Sequence, residues 1–153
     1  MENNQLDTET LEGNRLIALF DELEIIPSRH YREMNPALEY YGNMDAYGTV
    51  TNLQSQNDLQ YHSSWGKLMP ILEKIDAMGH KTIIGGGDQW GHYCNIMYSK
   101  SRAEHIEHLT NSEYCETKAL GQADTKIGAI YSAIVQFIKW YNQQTPSITP
   151  KIK

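Results

Sequence analysis

The strongest constraint on this fold is an apolar stripe late in the chain. Ile127, Ile130, Tyr131, Ile134, Phe137, Ile138 and Tyr141 recur every three or four residues, the spacing that lines one face of an α-helix. A face this apolar needs a layer to pack against. The spacing predicts a helix over 125–143. Asp124 or Thr125 is placed to cap it, because a side-chain oxygen there accepts a free first-turn N–H.

Two more segments share this period. Leu16, Ile17, Leu19, Phe20 and Leu23 predict a helix over 14–24, capped by Asn14 and ending before Pro27. Leu68, Met69, Leu72, Ile75 and Met78 predict a second, opened by Ser63 or Ser64 and closed by Gly79 as a left-handed cap. Pro70 is expected to kink it or tighten its first turn, since proline removes a helical hydrogen bond and crowds the carbonyl four residues back.

The layer these helices need is a small sheet. Lys81–Ile84 and His92–Tyr98 read as strands flanking Gly85-Gly86-Gly87-Asp88-Gln89-Trp90-Gly91, a hairpin with a glycine-rich loop. Glu113–Lys118 reads as a short edge strand. Residues 27–60 hold Pro27, Pro36, Gly42 and Gly48 with Tyr31, Tyr40, Tyr41 and Tyr47, and two short strands fit near 37–41 and 46–51. That region reads either as an insertion packed through its tyrosines or as a functional loop. The order gives an α+β class: a small antiparallel sheet with a central β-hairpin packed by three helices. The expected organisation is a polar leader at 1–12, a single domain at 13–143 and a tail at 144–153.

Charge and composition narrow the partners. Thirteen basic against nineteen acidic residues give a net charge of −6, which weighs against nucleic acid or an anionic membrane as partner. No apolar run approaches the roughly 18 residues of a membrane span. The polar, acidic start does not read as a signal peptide, so the expected location is cytoplasmic. Cys94 and Cys115 make neither a disulfide framework nor a zinc site.

Two stretches carry candidate chemistry. Gly86, Gly87, Asp88, Gln89 and Trp90 lie in the glycine-rich loop, where glycines permit close approach of backbone N–H groups to a ligand and Trp90 offers a stacking surface. The plainer reading is a hairpin turn whose tryptophan packs on its own sheet. No phosphate-binding fingerprint is present, because the Lys-Ser/Thr ending is missing. Tyr61, His62, Ser63, Ser64 and Trp65 open the middle helix, and a helix start suits an anion. Here the plainer reading is a serine cap with aromatic staples. Arg29 and Arg32, with His30, form a small basic patch that suits an anion or simply faces solvent.

Catalytic sets are not apparent. His105 and His108 are three apart, but no HExxH or cysteine pair completes a metal set. His62 beside Ser63 and Ser64 lacks a nucleophile elbow, and Cys94 reads as a small buried hydrophobe. No cofactor or metal is implied.

The string YHSSWGKLMPILEKI, Tyr61 to Ile75, resembles a run in small phage and prophage proteins of Bacteroidota that reads approximately YHSSWDWLMPVVEKI. Those proteins often carry an early helix like Asn14–Phe20 and a late helix like Lys126–Asn142. The resemblance covers three blocks; Gly66-Lys67 replaces the pattern's Asp-Trp. The family is also similar to a phage α-β-α sandwich domain. It brings no assigned activity, only a context: small accessory phage genes often encode inhibitors of host defence, among them oligomeric sponges for nucleotide messengers.

Three functions follow as expectations. The first is a non-enzymatic binding protein for a small anionic, nucleotide-like ligand. The helix start at Ser63 and Ser64 and the glycine loop would hold it, Tyr61, Trp65 and Trp90 would stack, and Arg29 or Arg32 would pair the charge, in a homo-oligomer. The second is an inhibitor of a host protein, anchored through the tyrosines of 31–47. The third is a nucleotide hydrolase with His62 or His92 as general base.

Overall fold

A computed structural model describes residues 6–27, 35, 37–87, 89, 91–99 and 115–144. Arg29, His30, Arg32, Asp88, Trp90, His105 and His108 lie outside the described residues. The elements are α1 (Thr8–Phe20), β1 (Glu24–Ile26), β2 (Tyr40–Met44), β3 (Val50–Ser55), α2 (Trp65–Ala77), β4 (His80–Gly87), β5 (Gly91–Ser99), β6 (Cys115–Ala123) and α3 (Lys126–Gln144). The class is α+β, with two antiparallel three-stranded sheets ordered β1-β2-β3 and β4-β5-β6. The chain clusters into two compact units, Met1–Tyr61 and His62–Lys153.

In the first unit α1 starts six residues before the periodicity suggests. Asp7, not Asn14, is the cap: its Oδ1 accepts from the Thr10 N–H at 2.7 Å. Asn14 is instead buried on the helix face that also buries Gly13, Ile17 and Ala18. The helix ends in a Schellman motif. Leu23 N–H donates to the Ala18 carbonyl at 3.0 Å and Glu22 N–H to that of Leu19 at 3.1 Å. Leu23, Ile26, Tyr41, Leu59 and Tyr61 complete the core.

The expected strands near 37–41 and 46–51 are displaced to β2 and β3, and the unforeseen β1 pairs with β2. A tight turn joins β2 to β3: Asp45 Oδ1 accepts from the N–H groups of Tyr47 at 2.9 Å and Thr49 at 2.8 Å. Gly48 there has φ +81°. Of the region's tyrosines, Tyr41 is buried and Tyr47, at the turn, is 94% exposed.

In the second unit both helices lie on one side of the sheet. His80, Thr82 and Ile84 share a face with Cys94, Ile96, Ala119 and Gly121 by register. On that face Thr82 Oγ1 donates to Asp76 of α2 at 3.2 Å, and the His80 ring meets Phe137 of α3 at 4.7 Å between centroids. A Cβ on Gly121 would collide with the backbone of Ala129 and Ala133, so glycine lets α3 seat directly on β6. Leu68, Ile71, Leu72 and Ile75 of α2 and Ile130, Ile134, Phe137 and Ile138 of α3 are buried. The opposite face carries Ile83, Tyr93 and Leu120, all part-exposed.

Element ends in this unit follow the expected chemistry. Thr125 caps α3, its Oγ1 accepting from Gly128 N–H at 3.1 Å. Gly79 follows α2 at φ +97°. Pro70 sits within α2 as an exposed residue, where it removes one N–H from the helical ladder.

Candidate functional site

The glycine run is strand rather than loop. Gly85, Gly86 and Gly87 pair with Tyr93, His92 and Gly91, so the connection shrinks to residues 88–90. The reason is steric. A Cβ on Gly86, at φ +96°, would collide with Gly91 and His92 across the hairpin. A Cβ on Gly85 would collide with the Tyr93 ring, which lies over it. Gly85 and Gly86 serve cross-strand approach, whereas a Cβ on Gly87 would meet nothing; all three stand in the ladder rather than in a loop. Gln89 is exposed in the turn.

The helix α2 begins at Trp65, directly after Ser63 and Ser64. Ser64 is the N-cap residue at φ −117° and ψ 112°, yet its side chain makes no capping hydrogen bond. Its carbonyl accepts from Lys67 N–H at 3.2 Å and Leu68 N–H at 3.0 Å. No acidic residue occupies the first turn. Ser63 and Gly66 are exposed, and Trp65 is 44% exposed. A Cβ on Gly66 would meet only Ser64 Oγ, at 3.9 Å, so space above the turn is open. The half-buried Lys67 brings a cation to the same turn. Such a start presents N–H groups and a partial positive charge without a carboxylate to oppose an anion.

Tyr61 and His62 have other duties. The Tyr61 ring is buried, and its hydroxyl donates to Asp21 Oδ2 at 3.5 Å. Burial, then the Asp21 charge, raises the Tyr61 pKa well above the usual phenol range. It is a core group of the first unit and not an open stacking surface. His62 meets the Tyr131 ring edge-on at 6.2 Å, which ties the segment before α2 to α3.

A separate cleft of about 360 Å³ lies where β5 begins and β6 ends, lined by Gly91, His92, Tyr93, Gln122, Ala123 and Asp124. It contains none of Ser63, Ser64 and Trp65. With Asp124 and no lysine or arginine in its lining, it does not favour a phosphate. Sequence reasoning missed Gln122 and Asp124 as lining residues; Asp124 read only as a helix cap.

Cys94 is fully buried, and burial followed by the Asp76 charge pushes its thiol up to about 11. The thiol is therefore protonated at neutral pH and is no nucleophile. Among the described residues no three His, Cys, Asp or Glu groups converge as a metal set. Within the same residues no helix is long and apolar enough to cross a membrane. No family model, curated protein or solved structure matches the chain.

Proposed function

We propose that the chain is a non-enzymatic binding protein for a small phosphate-bearing, nucleotide-like ligand held at the start of α2. The observation that carries this reading is the first turn of that helix: no side-chain cap, no carboxylate, and an exposed Trp65 beside it. The phosphate would take the first-turn N–H groups and the hydroxyls of Ser63 and Ser64, with Lys67 as counter-charge. Trp65 would stack on the base. The resemblance of Tyr61–Ile75 to a phage protein run supports an anti-defence role, a sponge that sequesters a nucleotide messenger in the host cytoplasm.

Native mass spectrometry against a nucleotide panel tests the ligand. The expected result is a retained mass, released unchanged on denaturation and lost in Trp65→Ala, with the melting temperature of that variant kept within a few degrees. Absence of any retained mass across the panel defeats the reading, and a converted nucleotide replaces it with hydrolysis.

A second reading is an interaction module that blocks a host protein. Tyr47, 94% exposed on the β2–β3 turn, favours it, because tyrosine is a frequent interface anchor. Tyr41 is excluded from that role by its burial. Loss of a co-purifying host protein in Tyr47→Ala is the outcome this reading expects.

A further inference from the structure

We propose that the outer edge of β4 pairs antiparallel with β4 of a second copy of this chain, joining two three-stranded sheets into one of six strands. β4 ends the order β4-β5-β6, so among the described residues no strand bonds its outer side. An edge strand presents alternate N–H and C=O groups outward, and proteins usually blunt it with a bulge, a proline or a charge. The opposite edge is blunted. β6 has a register shift that leaves Lys118 as the extra residue, and its Nζ sits over the Trp140 ring at 5.0 Å. β4 has neither bulge nor proline, its eight residues run in unbroken register with β5, and its one charge, the exposed Lys81, stands at the end of the stretch that pairs. Ile83 and Ile84, 38% and 39% exposed, leave apolar surface on both faces of that edge.

The occupant follows from charge and size within the strand itself. Residues 80–87 read HKTIIGGG, basic at one end and glycine at the other. The strand carries no carboxylate in a chain of net charge −6, so two copies meet there without opposing negative charges. Gly86, at φ +96°, leaves the extended region, which limits pairing to residues 81–85 and centres it on Ile83. In that register Lys81 faces Gly85 of the second copy, Thr82 faces Ile84, and Ile83 faces its own copy. No lysine meets a lysine. The contact is isologous, as closed two-fold dimers require.

Sedimentation velocity over a concentration series tests the edge, with wild type, Ile83→Lys and Leu120→Lys compared. Leu120 lies on the same sheet face as Ile83 and is 44% exposed, but it belongs to β6. The expected result is a reversible dimer that Ile83→Lys weakens by more than about tenfold and Leu120→Lys leaves intact. Hydrogen exchange on the wild type supplies a reading that needs no variant: amides of 81–85 should exchange more slowly as concentration rises. A monomer at every concentration overturns the proposal. So does equal loss in both variants, which would mean stacking through the sheet face, or exchange at 81–85 that ignores concentration.

Discussion

The strands of β1-β2-β3 are 3, 5 and 6 residues long, whereas those of β4-β5-β6 are 8, 9 and 9. The short sheet belongs to a unit rich in polar connections. Arg15 Nε meets Glu39 Oε1 at 3.0 Å, and the same carboxylate accepts from the hydroxyl of the buried Tyr41. Gln56 Oε1 accepts from Glu39 N–H at 2.9 Å. The long sheet belongs to a unit whose core is isoleucine, leucine and phenylalanine, closed by a bare glycine under a helix. The first unit fixes its geometry by hydrogen-bond direction, the second by close contact. They should therefore fail differently when perturbed.

Gly121→Ala should give the largest effect. Its methyl group has no room between β6 and the backbone of α3, so the helix must lift from the sheet. The expected loss is about 3 kcal/mol or more, at the upper end of what overpacking costs. Hydrogen exchange resolved along the chain should show α3 and β6 losing protection first. An alanine tolerated there would mean that α3 does not depend on that contact.

Tyr41→Phe probes the other unit. It keeps the ring and removes the O–H that Glu39 accepts. Burial first, then the Glu39 bond, holds the Tyr41 proton on well past the usual phenol range, so the bond persists at any ordinary pH. A hydrogen bond to a charged group on a part-buried carboxylate points to a loss of about 1–2 kcal/mol in a denaturant titration. A loss below that range would show that Arg15 alone satisfies Glu39.

His80 adds a pH dependence that belongs to the second unit alone. Its ring lies against Phe137 at 4.7 Å and Trp140 at 5.9 Å. Burial, followed by the Lys118 charge, lowers its pKa from the ordinary 6.5, while a hydrogen bond with the Met97 backbone and the Asp76 charge pull the other way. The unfolded chain then binds a proton at higher pH than the folded one. Stability is full above 6.5 and falls as pH drops below it, down to the folded value. Unfolding midpoints at pH 7.5 and about 5.5 should differ in wild type, and His80→Phe should flatten the part of that slope due to this group.

The second unit was the more legible of the two. The period of Leu68–Ile75 and Ile127–Ile138 marks both helices, and the cap at Thr125 and the stop at Gly79 fall where local chemistry puts them. Its errors are glycine errors. Gly85 to Gly87 looked like a loop because nothing local distinguishes a glycine that bends from one that makes room for Tyr93 or His92. Gly121 hid the length of β6 for the same reason. In the first unit, Thr8 to Gly13 lack an apolar stripe, so the periodicity starts α1 late. The candidate site was half legible. The open start of α2 follows from Ser64, Trp65 and Gly66, but the burial of Tyr61 and the cleft at Gln122 and Asp124 depend on contacts distant in sequence.

The smallest expected effect has the opposite sign and compares one helix end from each unit. Glu22 follows the cap of α1 at φ +65°, and Gly79 follows that of α2 at φ +97°. Both occupy the left-handed position, where a Cβ is strained and glycine is not. Glu22 also sets a carboxylate beside the negative end of its helix. Glu22→Gly should therefore stabilise the protein by about 0.5–1 kcal/mol, the strain relieved exceeding the entropy added to the unfolded chain. Gly79→Ala should cost a similar amount, since a Cβ there finds empty space and meets only backbone strain. Equal and opposite shifts in a thermal melt would make the two helix ends equivalent in kind. A neutral Glu22→Gly would mean that the Glu22 side chain offsets its own backbone cost, and the first unit would then rely on polar groups at its helix end as well as in its core.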